Sequence, residues 1–377
     1  MNPFKQLGLL GFCLFSLIPF QTKAQTIEYP YEVEVHEFKW EYTFNPFDDH
    51  ILLSPNGNYL LASTNGVEAS ILGVWDLKRQ RHLHDIRLYK DSKLEDQGNY
   101  CKFGTIAWLD DNSHILVGTL FCGYMGVDIA KQNYWYIWSD GNYWRFEDYA
   151  PKSRTLLTSG GLRFRLNQNF TKFTELKSVP SEIQTSYHRS SLTPDGKFWV
   201  GLEDHLGEEE SSELAVFSMD DFELINTSID DKFDPIQLPD KNVDHYSIND
   251  FYCLAGSKEV LILLNGSQFI RWNFQENRIV GEYEACVNDT DSKESRKSFR
   301  SYHFIASSDG QHFAYYDKLD NSFVFREVKD GKFLSVCPID YSPNLQKNLL
   351  ALNGDPLTFA TLSDSSTIKV YQLKPKK

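Results

Sequence analysis

One short pattern recurs seven times along this 377-residue chain and limits what it can fold into. An apolar strand end runs into a tight turn rich in Pro, Asn, Asp and Gly, and a second apolar strand follows. The copies are "LSPNGNYLLAS" (Leu53–Ser63), "WLDDNSHILVG" (Trp108–Gly118), "YAPKSRTLLTS" (Tyr149–Ser159) and "LTPDGKFWVGL" (Leu192–Leu202), then "LAGSKEVLILL" (Leu254–Leu264), "ASSDGQHFAYY" (Ala306–Tyr316) and "LNGDPLTFATL" (Leu352–Leu362). With Pro55, Asp110, Pro151, Pro194, Ala255, Ser308 and Gly354 as equivalent points, the intervals are 55, 41, 43, 61, 53 and 46 residues. Pro presets φ, and Asn, Asp and Gly accept the backbone geometry of a hairpin turn. Self-similarity at such a period is the mark of a repeat architecture.

A second marker follows each turn. "GVWDLKRQ" (Gly73–Gln80) matches "GVDIAKQN" (Gly126–Asn133), with weaker copies "LRFRLNQN", "LAVFSMDD", "FIRWNFQE", "FVFREVKD" and "IKVYQL". The apolar positions taken as equivalent are Trp75, Val127, Phe164, Phe217, Trp272, Phe325 and Tyr371, at offsets of 20, 17, 13, 23, 17, 17 and 17 from the first marker. Each unit therefore reads as strand a, tight turn, strand b, loop, strand c, tight turn, strand d, which is one propeller blade. The composition agrees: β-branched and aromatic residues lie in short runs between turn residues, with no amphipathic helical stretch. After Tyr371 only "QLKPKK" remains, so the last blade lacks an outer strand. The stretch "TIEYPYEVEVHEF" (Thr26–Phe38), within a closing segment spanning 25–45, is expected to supply it and close the ring, hiding sheet edges.

These motifs resemble those of seven-bladed WD-repeat propellers over nearly the whole chain. Only Trp75-Asp76 is a true Trp-Asp pair, and the usual Gly-His dipeptide is missing. The Ser/Thr-Pro-Asp/Asn-Gly turns are equally similar to those of bacterial periplasmic and peptidase-associated propellers, although no hydrolase domain is expected here. The expected fold is all-β: a single seven-bladed β-propeller of four-stranded blades over 25–377, closed by the N-terminal strand.

Residues 1–24 read as a secretory signal. Lys5 precedes an apolar run from Leu7 to Phe20, and the small residues Thr22 and Ala24 precede Gln25. A lipoprotein signal ending at Cys13 is disfavoured by bulky Phe12 before it. The run is too short to span a bilayer, so an integral membrane protein is not expected. The expected location is outside the cytoplasm: periplasmic, cell-surface or secreted. The chain carries net charge −14; without Lys5 and Lys23 the balance is 36 basic against 52 acidic residues. Nucleic-acid partners are disfavoured, since phosphate binding requires clustered Lys and Arg.

Extra length falls in d–a connections ("YKDSKLEDQGNY", "DKFDPIQLPDKNVDHYS", "CVNDTDSKESRKSFR") and one b–c connection ("EDHLGEEESSE"). Strand polarity puts all of these on one face of a propeller, where binding is expected. The acidic loop offers Glu203, Asp204, Glu208, Glu209 and Glu210, and the 287–300 segment offers Arg296 and Lys297, for electrostatic selection of a partner. Solvated loops are the plainer reading of the same charges.

Four histidines, His50, His188, His245 and His303, stand near the start of an a strand at the channel mouth. Four imidazoles there are candidate ligands for a transition metal. The competing reading is structural hydrogen bonding, as WD-repeat blades often use histidine. His82 and His84 form a His-x-His pair on an outer strand, pointing to the same face; a surface metal site is the sharper reading and an exposed edge the plainer one. "NYWYIWSDGNYWRFEDY" (Asn133–Tyr149) holds eight aromatics in 17 residues, read as an outer strand packed between blades rather than a sugar platform. "NDTDSKE" lacks the glycine and spacing of an EF-hand.

Catalytic motifs are absent: no Gly-x-Ser-x-Gly, Walker loop, His-Glu-x-x-His or Cys-x-x-Cys. No catalytic residue and no cofactor is assigned. Cys101 and Cys122 are equidistant from a turn at Asp111-Asn112, so an uninterrupted hairpin would set them opposite each other as a disulfide candidate. Sequons at Asn169, Asn226, Asn265 and Asn288 matter only in a eukaryotic secretory route. The leading expectation is a non-enzymatic scaffold that binds a protein or peptide. The alternatives are a metal-assisted lyase or lactonase at the channel mouth and a carbohydrate-binding propeller.

Overall fold

Strand b of most repeats is apolar at successive positions, as in "YLLAS" and "EVLILL", while side chains of a strand alternate between two faces. Such a sheet must be covered on both sides, and a ring of sheets supplies that cover without extra layers. The computed structural model, which describes residues 28–45, 49–65, 70–88, 102–109, 113–119, 123–138, 146–158, 160–187, 189–203, 212–228, 247–256, 258–286, 300–301, 303–341, 343 and 346–376, has this architecture. Seven four-stranded antiparallel sheets form a seven-bladed β-propeller.

The chain begins with β1 (Tyr31–Lys39). Blade one holds β2 (His50–Leu53), β3 (Tyr59–Asn65), β4 (Ser70–Asp76) and β5 (Arg81–Leu88); blade two holds β6 (Phe103–Trp108), β7 (His114–Thr119), β8 (Tyr124–Asp128) and β9 (Asn133–Trp138). Blade three holds β10 (Phe146–Ala150), β11 (Thr155–Thr158), β12 (Arg163–Leu166) and β13 (Phe173–Leu176); the short helix α1 (Ser181–Ser186) leads into blade four, β14 (Arg189–Leu192), β15 (Phe198–Glu203), β16 (Glu213–Ser218) and β17 (Leu224–Thr227). Blade five holds β18 (Ile248–Cys253), β19 (Glu259–Leu264), β20 (Gln268–Asn273) and β21 (Arg278–Glu284), and blade six β22 (Phe304–Ala306), β23 (His312–Asp317), β24 (Ser322–Glu327) and β25 (Phe333–Pro338). A 3-10 turn (Lys347–Leu349) precedes blade seven, β26 (Leu350–Gly354), β27 (Leu357–Leu362) and β28 (Thr367–Pro375).

The ring closes as the sequence predicts. β1 pairs antiparallel with β28 from Tyr31↔Pro375 to Lys39↔Thr367, as the outer strand of blade seven. Each neighbouring pair of blades shares one apolar cluster, giving seven small cores in place of one large one. Alternation along strand b builds them: Leu60 and Ala62 face blade seven, whereas Leu61 faces blade two. Fully burying such a side chain contributes about 1.5–3 kcal/mol. The aromatic stretch divides in the same way. Tyr134 and Tyr136 pack toward blade one, Trp135 and Ile137 toward blade three.

The repeated turn has a specific hydrogen-bond logic. In blade one the Ser54 hydroxyl donates to Asn56 Oδ1 at 2.8 Å and accepts from the Tyr59 N–H at 2.8 Å. Thr193 with Asp195 and Phe198, and Ser307 with Asp309 and His312, repeat the arrangement. The glycine that follows must take positive φ and pack against the adjacent blade. Gly310 has φ +68°, and a Cβ there would meet the Ala255 backbone N at 2.8 Å. Gly310→Ala is expected to cost about 1–3 kcal/mol, seen as a lowered urea midpoint; an unchanged midpoint would mean that the turns of blades five and six separate freely.

One repeat marker shifts by one residue. The register opposite strand b pairs Leu60 with Trp75, Val260 with Trp272 and Leu156 with Phe164, but Phe313 with Arg326. The structural equivalent in blade six is thus Arg326, not Phe325, whereas Phe164 packs toward the preceding blade as Trp75 and Trp272 do. Arg326 is buried like the tryptophans it replaces. Its guanidinium lies 4.1 Å from the Phe333 ring centroid and donates to the Gly331 and Glu284 carbonyls at 2.6 and 2.5 Å. The aliphatic stem fills the tryptophan's place and the fork satisfies carbonyls that would otherwise be stranded.

Candidate functional site

The two ends of the ring differ. The a–b and c–d turns are short throughout, whereas the connections 89–102, 177–188, 228–247, 285–303 and 339–349 are d–a and 204–212 is b–c. Because strands alternate in direction, these longer connections all leave from the same face. Of the charged residues expected to select a partner, Asp204, Glu208, Glu209, Glu210, Arg296 and Lys297 lie outside the described residues. Glu203 ends β15 directly opposite Glu213 of β16. Like charges facing across a ladder disfavour it slightly, and burial, helped by these two carboxylates, pushes the nearby Tyr187 hydroxyl up to about 12. The base of that connection is therefore acidic.

Inner strands line the central channel. A cavity of about 500 Å³ lies along it, walled by β10, β14 and β18 and by Lys347 of the 3-10 turn, with Pro151, Pro194 and Ser308 of the a–b turns at one end. Its charges come from residues far apart in sequence. Asp250 is fully buried. A bulge at Asn249 shifts the register of β18 just before it, the usual device for re-aiming a side chain. Arg189 donates to Asp250 Oδ1 at 2.5 Å and to the Asn249 carbonyl at 2.9 Å. Lys347 donates to the same Oδ1 at 3.1 Å. His303 Nδ1 is 3.4 Å from Oδ2, and the Phe304 N–H donates to that oxygen at 3.3 Å. Burial raises the carboxyl, but Lys347, His303 and Arg189 outweigh it and hold Asp250 well below the ordinary carboxylate range.

Asp148 sits across the cavity after a second bulge, at Glu147. Its Oδ2 accepts from the Ser191 hydroxyl and the Leu192 N–H, both at 2.7 Å, tying blade three to blade four. Desolvation here exceeds the help of these neutral donors, so the Asp148 carboxyl titrates above its ordinary value. Burial and Asp148 together push the Cys253 thiol up to about 12, which leaves it a neutral wall residue rather than a nucleophile.

The four channel-mouth histidines divide unevenly. His188 and His245 lie outside the described residues. His50 opens β2, with its N–H bonded to Ser63 Oγ at 3.0 Å, and His303 stands beside Asp250. Among the described residues no group of three His, Cys, Asp or Glu side chains has a metal-ligating arrangement. The buried Asp250 carboxylate beside His303 already holds Arg189 and Lys347, which suits an ion-pair hub better than a ligand set. His82 and His84 do not act as a pair: a bulge interrupts β5 between them, His82 meets Asp85 at 2.9 Å, and His84 Nε2 meets the Ile129 carbonyl at 3.0 Å. Cys101 and Cys122 lie outside the described residues. The uninterrupted hairpin assumed for them is broken at Gly104, where the β6–β7 register shifts by one. Cys253 and Cys337 are free thiols.

Sequence reasoning missed Asp148, Arg189, Asp250 and Lys347. A signal existed for two of them. Four residues before Ser54, Thr193, Leu254 and Ser307 stand His50, Arg189, Asp250 and His303. The position is shared, not the residue type, and a search for histidine alone finds half of it.

No family model matches the chain, and no curated protein matches it. Solved structures do. A chain of the crystal structure of the Mitotic Checkpoint Complex superposes with TM-score 0.58 at 11% identity, over 98% of this chain and 99% of that one. The fold is that of a WD-repeat-like seven-bladed β-propeller. The β-propeller domain of Cps50 (Swd1) from Myceliophteria thermophila is a second example, with TM-score 0.54 at 10% identity, over 90% of this propeller and all of that domain. At such identity the likeness concerns the fold. No helix of the described residues is long and apolar enough to cross a membrane.

Proposed function

We propose that this propeller is an exported scaffold that binds a protein or peptide through the face formed by its d–a and b–c connections. One observation carries the reading: every long connection leaves from that face of a rigid ring, while the opposite turns are short and, at Gly310, packed tightly on the next blade. Long loops held by a rigid frame are where recognition concentrates. Propellers commonly serve in protein assembly, and one structural neighbour was solved within a named complex. The acidic 203–213 connection favours a basic partner, and residues 1–24 favour export.

The test is capture of partners by the tagged protein from its own envelope fraction after mild crosslinking. A control carries Gln in place of Glu203, Glu208, Glu209 and Glu210. One partner enriched by the wild type, and reduced about tenfold in the control or by raised salt, is the expected result. The intact mass of the recovered protein should correspond to residues 25–377. Equal capture by both proteins would remove the acidic connection from the interface, and a retained 1–24 segment would remove the cleaved-signal reading.

A further inference from the structure

We propose that the channel cavity is a binding site for a small organic monocarboxylate, held by Arg189 and Lys347 where they converge above Asp250. This stands apart from the scaffold reading, because the ligand would sit inside the channel; of the long connections only 339–349 takes part, through Lys347.

Charge balance points to an anion. Arg189 and Lys347 share one carboxylate oxygen, Asp250 Oδ1, so two cations answer one buried negative charge. Neither cation is buried with it: their side chains are 31% and 42% exposed, and both line the cavity. Each keeps donors beyond those spent on Asp250, Asn249 and Phe251, since a guanidinium has five N–H groups and an ammonium three. Set against Asp250 alone the two cations leave one positive charge over, which matches a monoanion better than a dianion. The planar fork of Arg suits a carboxylate. Asp148 is the acid in the wall, and its oxygens are occupied by Ser191, Leu192 and Tyr149 donors. Its displaced titration reduces its opposition to an anion.

The remaining wall fits an organic body. Tyr149, Leu192, Phe251 and Tyr252 give apolar surface. A cavity of about 500 Å³ falls in the range of pre-formed small-molecule sites, which pair apolar lining with a few placed polar groups. Free acids and the C-terminal carboxylate of a short peptide offer the same head group.

The test is calorimetric titration of residues 25–377 at fixed ionic strength in chloride. Probes are acetate, isovalerate, phenyllactate, inorganic phosphate, and N-acetyl-phenylalanine with its C-terminal amide; a tripeptide and its amide separate a chain end from a free acid. Saturable binding of at least one monocarboxylate, weakened about tenfold or more in its amide, is expected, tenfold being one charge-assisted hydrogen bond of about 1.4 kcal/mol. Lys347→Met should lose about tenfold in affinity and Lys347→Arg should retain it. Asp148→Asn, which leaves both cations in place, should bind several-fold tighter. The proposal is overturned if no acid binds better than its amide, if phosphate binds better than every carboxylate, or if Asp148→Asn and Lys347→Met both bind like the wild type.

Discussion

Arg300→Met is expected to lower the stability of the ring by about 3–5 kcal/mol, read as a fall in the urea midpoint with little change in slope. Arg300 is 1% exposed and its partner Asp317 is 0% exposed. The guanidinium donates to Asp317 Oδ2 at 2.6 Å and to Asp320 Oδ2 at 3.2 Å. Burial works against the charge on Arg300, and the bond to Asp317 overcomes it, so the guanidinium stays charged. The backbone is fastened at the same place. The N–H groups of Arg300 and Ser301 both reach the Gly266 carbonyl, and the Lys318 N–H reaches the Arg300 carbonyl. Arg300 therefore fixes the point where the connection between blades five and six re-enters the ring. Methionine keeps the stem and deletes the fork, which strands a buried carboxylate. The added change Asp317→Asn keeps an acceptor for the Leu319 N–H and removes that charge. The double variant should regain more than half of the loss. If it is no more stable than Arg300→Met, the pair is not what anchors the connection.

The architecture was legible because hairpin chemistry is local. Ser54-Pro55-Asn56-Gly57 and its copies show their turn type in four residues, and the number of copies sets the number of blades. The closing role of β1 followed from counting strands. The marker misassignment in blade six has one cause. A search for apolar residues passes over an arginine whose stem packs like a tryptophan, and Phe325 stood next to Arg326. The bulges at Gly104, Glu147 and Asn249 left no such trace. A bulge is one extra residue, and insertions of that size vanish among repeats that already vary by 20 residues in spacing.

The channel site was less legible because its parts come from three blades and two connections. Asp148, Arg189, Asp250, His303 and Lys347 meet only once the ring closes, and they share no residue type. What a sequence does expose is the strand position facing the channel. His50 and His303 drew attention to that position; at His303 the imidazole stands beside the Asp250 carboxylate, whose other oxygen is held by Arg189 and Lys347.

That arrangement makes Asp250→Asn the second large effect. Asparagine is nearly isosteric and keeps an acceptor for the Phe251 N–H, which bonds to Oδ1 at 2.9 Å. It removes the charge that holds Arg189 and Lys347 together, leaving two cations facing each other in a partly buried space. A loss of about 3–5 kcal/mol at pH 7 is expected. The pH dependence follows in sign from the depressed carboxyl. A group whose folded value lies below its unfolded value of about 3.9 contributes its full stabilisation above that value and loses it as pH falls toward the folded value. The gap between wild type and Asp250→Asn should therefore be widest at neutral pH and close progressively below about pH 4. Asp148, displaced upward, has the opposite sign: its ionisation costs stability as pH rises, so Asp148→Asn should gain on the wild type in mild alkali and lose that gain in acid. Urea midpoints at pH 8, 5 and 3 for the three proteins separate the two carboxyls. A gap between wild type and Asp250→Asn as wide at pH 3 as at pH 8 would mean that Asp250 acts through shape, and that the cations at the channel mouth are held by something other than its charge.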